Sequence, residues 1–108
     1  MVPLPMEATA KTISPYVEQE VLGWSPEQLV LKTYDVFLAA YRRNDIGLMN
    51  RALTQLMDAL NFEAGEIAVR LYRLYEYCQR CLWNRRAEEA AAIIQELRSA
   101  WAQAFGFD

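Results

Sequence analysis

The chain has 108 residues, 54% of them hydrophobic and 23% charged, with 11 Lys and Arg against 14 Asp and Glu for a net charge of −3. That composition excludes disorder, collagen-like repetition and low complexity, leaves room for one hydrophobic core, and offers no overall positive field for a nucleic acid. Histidine is absent, which removes the commonest general base, the commonest nitrogen metal ligand and every imidazole triad.

Three of the four prolines, Pro3, Pro5 and Pro15, fall in the first fifteen residues, where no apolar periodicity appears. Residues 1–24 therefore read as an extended N-terminal arm. The arm carries Ile13, Tyr16, Val17, Val21, Leu22 and Trp24, too many apolar side chains for a solvated tail, and is expected to dock on the rest of the chain. It lacks the basic-then-apolar order of a secretion signal. The longest apolar run, Val36 to Tyr41, is far short of the ~20 residues that span a bilayer, so a cytoplasmic, non-membrane protein is expected.

Residues 25–105 read as a single helical domain. Across the chain Ala and Leu outnumber Val and Ile by 28 to 11, and no stretch alternates with period two, so no sheet is expected. The first long helix starts at Ser25, Pro26 and Gln28, which supply an N-cap, an N1 proline and the far side of a capping box. It carries Val30, Tyr34, Phe37 and Tyr41 on one stripe and ends near Arg42, Arg43 and Asn44, cations suited to a helix C-terminus. Asp45 caps a second helix from Ile46 to about Leu60, with Met49, Leu53, Leu56, Met57 and Leu60 on one face, and Asn61 and Gly65 break it.

The third helix repeats Ile67, Leu71, Leu74, Cys78 and Cys81 at 4,3,4,3 spacing and breaks near Asn84. The fourth repeats Ala90, Ile94, Leu97, Trp101 and Ala104 in the same way. Four helices joined by short loops predict an all-α, antiparallel, up-down-up-down four-helix bundle.

Cys78 and Cys81 form the only C-x-x-C, but they sit mid-helix, not at a helix N-terminus after a strand as in a redox enzyme. Their spacing sets the Cβ atoms about 5 to 6 Å apart, beyond a disulfide's roughly 3.5 to 4.5 Å. Zinc would need two further sulfur or nitrogen ligands that the chain lacks, so both read as core thiols. No cofactor, metal or catalytic residue is expected. The best carboxylate pairs, Glu63 with Glu66 and Glu88 with Glu89, stand at helix starts, where the macrodipole accounts for them.

Helix one is apolar on more than one face: Leu29, Val36 and Ala40 form a second stripe, and Leu31 and Leu38 a third. Helix four has small or apolar side chains from Ala90 to Ile94, covering most directions. A bundle core needs one face of each helix, so the surplus implies a partner, unless the arm and the neighbouring helices cover it.

Three ordered blocks between Tyr16 and Trp101 resemble the FliS family of flagellin-specific export chaperones. Ser25-Pro26-Glu27-Gln28-Leu29 followed by Thr33-Tyr34-Asp35 is similar to that family's S-P-E-E-L and L-Y-D. The run from Leu60 to Ala68, continuing through Leu71 and Leu74-Tyr75-Glu76-Tyr77, resembles L-x-F-E-x-G-E-I-A and L-Y-x-Y. Leu97-Arg98-Ser99-Ala100-Trp101 resembles the closing L-R-x-A-W, and Tyr16 matches an N-terminal tyrosine.

The resemblance implies a helical bundle that binds the disordered C-terminal segment of new flagellin in the cytosol, prevents premature polymerisation and presents it to the export gate. Partner-binding residues expected on this reading are Tyr16, Tyr34, Phe37, Leu38, Ile93 and Trp101. The resemblance also places the arm on the client surface, with Tyr16 in a client groove until flagellin displaces it. A monomer or weak dimer is expected. The chain departs from the family pattern in having both long hairpins shorter by roughly one to two turns per helix, at the same end of the bundle, and in carrying Ala64 and Arg70 where the family favours Gly and Asn.

Two other readings are weaker. Arg70, Arg73, Arg80, Arg85 and Arg86 interleave with Tyr72, Tyr77 and Trp83, as in an RNA-binding surface, but Glu66 with Arg70 and Glu76 with Arg80 are favourable i, i+4 pairs on a solvated face. A helical adaptor that homodimerises through helix one or four, or a regulatory protein with a different helical client, is the alternative that the residues leave open.

Overall fold

A computed structural model describes residues 23–107; the expectations for Tyr16 and for most of the arm lie outside the described residues. Four helices follow in order: α1 (Pro26–Arg42), α2 (Ile46–Asp58), α3 (Glu66–Trp83) and α4 (Ala87–Phe105), with a short 3₁₀ turn, Phe62–Ala64, between α2 and α3. No strand occurs among the described residues. Each helix packs against its neighbours in a ring, α1 on α2 and α4, α3 on α2 and α4. Contacts fix the antiparallel sense. Asp35 meets Arg98 and Glu27 meets Trp101 between α1 and α4, while Asn50 meets Gln79 between α2 and α3.

The helix starts follow the capping chemistry. Ser25 Oγ accepts from the Gln28 backbone N–H at 3.1 Å, and Gln28 Oε1 accepts from the Ser25 N–H at 2.8 Å, so two otherwise orphaned donors of α1 are satisfied reciprocally. Asp45 Oδ1 does the same for Leu48 N–H at the start of α2.

Both three-residue reversals, Arg43 to Asp45 and Asn84 to Arg86, use one device. A residue in the left-handed region, Asn44 (φ 57°) or Arg85 (φ 60°), turns the chain so that the next N–H bonds a carbonyl five residues back: Asp45 to Ala40 at 2.9 Å and Arg86 to Cys81 at 2.7 Å. These two turns form the closed end of the bundle. The other end, where the chain enters at Ser25 and leaves at Phe107, is the open end.

The core contains Tyr34, Phe37, Met49, Leu53, Tyr75, Cys78, Cys81 and Ile94, all essentially inaccessible. Both cysteines are therefore core thiols, and burial above all, with Cys81 and Glu89 nearby, pushes the Cys78 thiol up to about 12. Tyr34 and Tyr75 share a hydroxyl–hydroxyl hydrogen bond of 2.7 Å, and desolvation raises both phenols above their ordinary value.

The α3 register differs from the expected seam. Ala68, Leu71, Tyr75, Cys78 and Leu82 face inward, with Cys81 beside them, whereas Ile67 is 69% exposed and Leu74 lies at the surface. Tyr75 takes the core position because its ring buries more than a leucine and its hydroxyl has Tyr34 as partner. On α4, Ala104 is likewise exposed, and Ala102 takes the inward position.

Candidate functional site

At the open end the first turn of α1, the last turns of α2 and α4 and the first turns of α3 converge without closing on one another. They leave an apolar cleft of about 390 Å³ whose walls include Val30, Leu56, Leu60, Leu71, Trp101 and Phe105. Ile67 and Ala64 form its lip, and the Tyr75 ring is its floor. A narrower groove of about 160 Å³ runs on between α1 and α2, past Leu29, Thr33, Gln55 and Ala59, and shares Val30 and Leu56 with the cleft. The two form one apolar track along a helix pair, the shape that receives the apolar face of an amphipathic segment.

Local chemistry sets the walls. Trp101 donates its indole N–H to the Glu27 carbonyl at 2.9 Å, meets the Tyr34 ring edge-on at 6.2 Å, and packs against Phe105 with centroids 4.9 Å apart. The indole is thus pinned at its polar edge while an apolar face lines the cleft. Arg98 Nε donates to Asp35 Oδ1 at 2.6 Å, which fixes α4 against α1 next to this wall. Gly65, at φ 80° and ψ −134°, supplies the backbone turn that brings α3 into place below the cleft, a conformation that side-chain-bearing residues rarely adopt.

The residues put forward as partner contacts divide. Trp101 is half-buried and lines the cleft, and Ile93 is half-buried on α4. Tyr34 and Phe37 are fully buried and Leu38 is 7% exposed, so these three serve the core and offer a partner almost no surface. The surplus stripes of α1 divide as well. Leu31 and Leu38 are buried, Ala40 is buried, and Leu29 and Val36 remain 44% and 43% exposed. Leu29, Ile67 and Phe105 put exposed apolar surface around the cleft and its groove, and of these only Leu29 belongs to a stripe recognised as surplus.

Among the described residues no cluster of three or more Cys, Asp and Glu is placed to hold a metal ion. The arginine-rich face of α3 is engaged in its own pairs, Arg70 with Glu66 at 2.8 Å and Arg80 with Glu76 at 3.7 Å, while the Tyr77 hydroxyl donates to Glu89. That hydrogen bond raises the Tyr77 phenol to about 12. No helix among the described residues is long and apolar enough to cross a membrane.

A family model described as "Flagellar protein FliS" matches residues 8–106, which is most of the chain and all four helices. No curated protein and no solved structure matches it.

Proposed function

The chain belongs to the FliS family of flagellar chaperones, and from that premise we propose that it binds the C-terminal segment of flagellin in the cytoplasm, keeps it from polymerising and assists its passage to the export gate. The observation that carries the reading is the apolar track from the α1/α2 groove into the open-end cleft. A flagellin terminus that is disordered when free and amphipathic when helical would lay its apolar face there, against Trp101, Phe105 and Ile67, with Ile93 as a further contact on α4. The arm, carrying Tyr16, would occupy part of the track in the empty chaperone and be displaced by the client. No chemical step is involved, only binding and release.

Ordering a disordered segment costs about 2 to 5 kcal/mol or more of the gross interaction, offset by burying on the order of 1,000 to 3,000 Å². Calorimetric titration with the flagellin C-terminal peptide should therefore show a large negative heat-capacity change, with helix content beyond the sum of the parts in circular dichroism. An absence of binding at micromolar peptide would overturn the reading. Deleting residues 1–20 should strengthen client binding or leave it unchanged, and a large loss would count against displacement.

A further inference from the structure

The two ends of the bundle carry opposite charge around apolar features of opposite shape. At the closed end Trp83, the last residue of α3, is 70% exposed, and Ile46, the first residue of α2, is 44% exposed. Arg42, Arg43, Arg51 and Arg85 belong to the same end and have no ion-pair partner among the described residues. Asp45, Glu88 and Glu89 are the carboxylates there; Asp45 is engaged in capping α2, and Glu89 is held by Tyr77 and by Arg86 at 3.7 Å. At the open end the cleft is concave and apolar; Glu27 lines it, Glu63 stands in the connection between α2 and α3, and Asp58 lines the adjoining groove that shares Leu60, and none of the three has a cation partner among the described residues. Glu66 adds a further carboxylate, paired with Arg70. A chain of net charge −3 thus gathers Arg42, Arg43 and Arg85 at one tip, around its most exposed tryptophan, while Lys32 and Arg73 are the cations without an ion pair among the described residues that lie toward the other end.

We propose that these ends are complementary to each other and that the protein self-associates head to tail, the Trp83 tip of one copy seated in the open-end cleft of the next. An indole is a large, rigid apolar body of the kind that anchors interface centres, and about 390 Å³ accommodates it. Arginines around the tip face carboxylates around the cleft, so electrostatics set the orientation. The contact is end-on and small, which places it among weak, reversible interfaces of less than about 1,200 Å². Its two surfaces are different, so it is heterologous and builds rows, not closed dimers. A ligand in the cleft competes with it, as does the chain's own arm while it occupies the track, so the chain lacking residues 1–20 should self-associate at least as strongly.

The test uses the full chain in sedimentation and light scattering at low salt. The mass should rise with concentration past twice 12.5 kDa without a plateau, and return to 12.5 kDa in about 1 M salt, where the screening length falls to about 3 Å. Two exposed-site variants separate the ends. Trp83→Ala/Arg85→Glu removes the tip, and Asp58→Lys/Glu63→Lys inverts the charge at the α2–α3 connection beside the cleft. Each alone should weaken self-association about tenfold or more, the size of a hot-spot loss. Because each keeps the end the other lacks, an equal mixture should form dimers that grow no further. Circular dichroism checks that both variants keep their helix, and the single substitutions Trp83→Ala and Glu63→Lys serve if a double variant does not fold. A wild-type chain that stays at 12.5 kDa, a plateau at the dimer that neither variant disturbs, or a mixture that remains monomeric would each overturn the proposal.

Discussion

At the closed end the chain reverses twice, each time in three residues, and each reversal returns backbone hydrogen bonds to the helix it leaves. At the open end the passage from α2 to α3 takes the seven residues 59–65, through a 3₁₀ turn and a glycine at positive φ. Tight turns hold adjacent helix ends close enough to cover one another, and Ala40, Met49, Cys81 and Ala90 near the closed end are all buried. The longer connection lets helix ends stand apart, and the apolar residues there, Leu56, Leu60, Leu71 and Phe105, line a cleft instead of a seam. An apolar cleft stays open where a loop is long enough to keep four amphipathic helices from closing at that end.

The comparison is broken most directly by truncating one apolar residue of each kind. Phe37→Ala removes a fully buried ring and should cost about 3 to 5 kcal/mol in chemical denaturation, through lost burial and the cavity left behind. Ile67→Ala, at a 69% exposed position on the cleft lip, should change stability by less than about 0.5 kcal/mol yet weaken flagellin-peptide binding several-fold. Equal losses of stability in the two variants would abolish the distinction between core and docking surface.

Alkaline pH tests the packed middle of the bundle without mutation. Tyr34, Tyr75 and Cys78 all have folded-state values raised above those of the unfolded chain, chiefly by burial. Such acids favour folding only while the unfolded chain is also neutral, so the stability they contribute is complete below about 9, where the unfolded thiol begins to ionise, and falls as pH rises toward 12. Melting temperature should therefore decline from about pH 9 upward, and Cys78→Ala should flatten the first part of that decline. A melting temperature unchanged to pH 11 would show these groups to be solvated. Tyr75 is also the floor of the cleft, so peptide binding and fold should fail together on this limb.

The helix starts at both ends were legible in the sequence, and the open-end cleft was not. Ser25 with Gln28, and Asp45 after two arginines and an asparagine, are local signals whose chemistry is complete within a few residues, and the structure realises them at those positions. The pairing of Tyr34 with Tyr75 spans 41 residues, and no local pattern announces it; without it, Ile67 and Leu74 are as good a seam as Ala68 and Tyr75. For the same reason Leu31 and Leu38 read as surplus surface, although α1 packs on both α2 and α4 and so uses two of its three stripes. The cleft draws on the ends of all four helices, so its residues are far apart in sequence. The signal that could have found it is the apolar content of Ile67 and Phe105 at helix ends, where polar residues are usual.

Gly65 is where the longer connection depends on a single residue. A Cβ built there meets no atom within 4 Å, so Gly65→Ala introduces no clash and tests backbone conformation alone. At φ 80° and ψ −134° the substitution should cost about 1 to 3 kcal/mol and loosen the start of α3, with peptide affinity falling alongside. Peptide affinity unaltered at undiminished stability would show that the cleft does not need this turn.

The smallest expected effect lies in the difference between the two closed-end turns, which share hydrogen bonds but not the residue in the left-handed position. Asn44 is suited to that conformation, because a short polar side chain tolerates it. Arg85 is not, and an ordinary side chain there carries strain of roughly 1 to 2 kcal/mol relative to glycine. Glycine in turn loses more conformational freedom on folding, by about 0.5 to 1 kcal/mol. Arg85→Gly should therefore stabilise the bundle by about 0.5 to 1 kcal/mol, while Asn44→Gly should be close to neutral. A gain of that size, read in chemical denaturation, would show that the Arg85 side chain does not serve the turn, in line with its place on the charged tip. If Arg85→Gly proved destabilising, the guanidinium would be contributing to the turn itself, and the case for a free cationic tip at Trp83 would lose one of its supports.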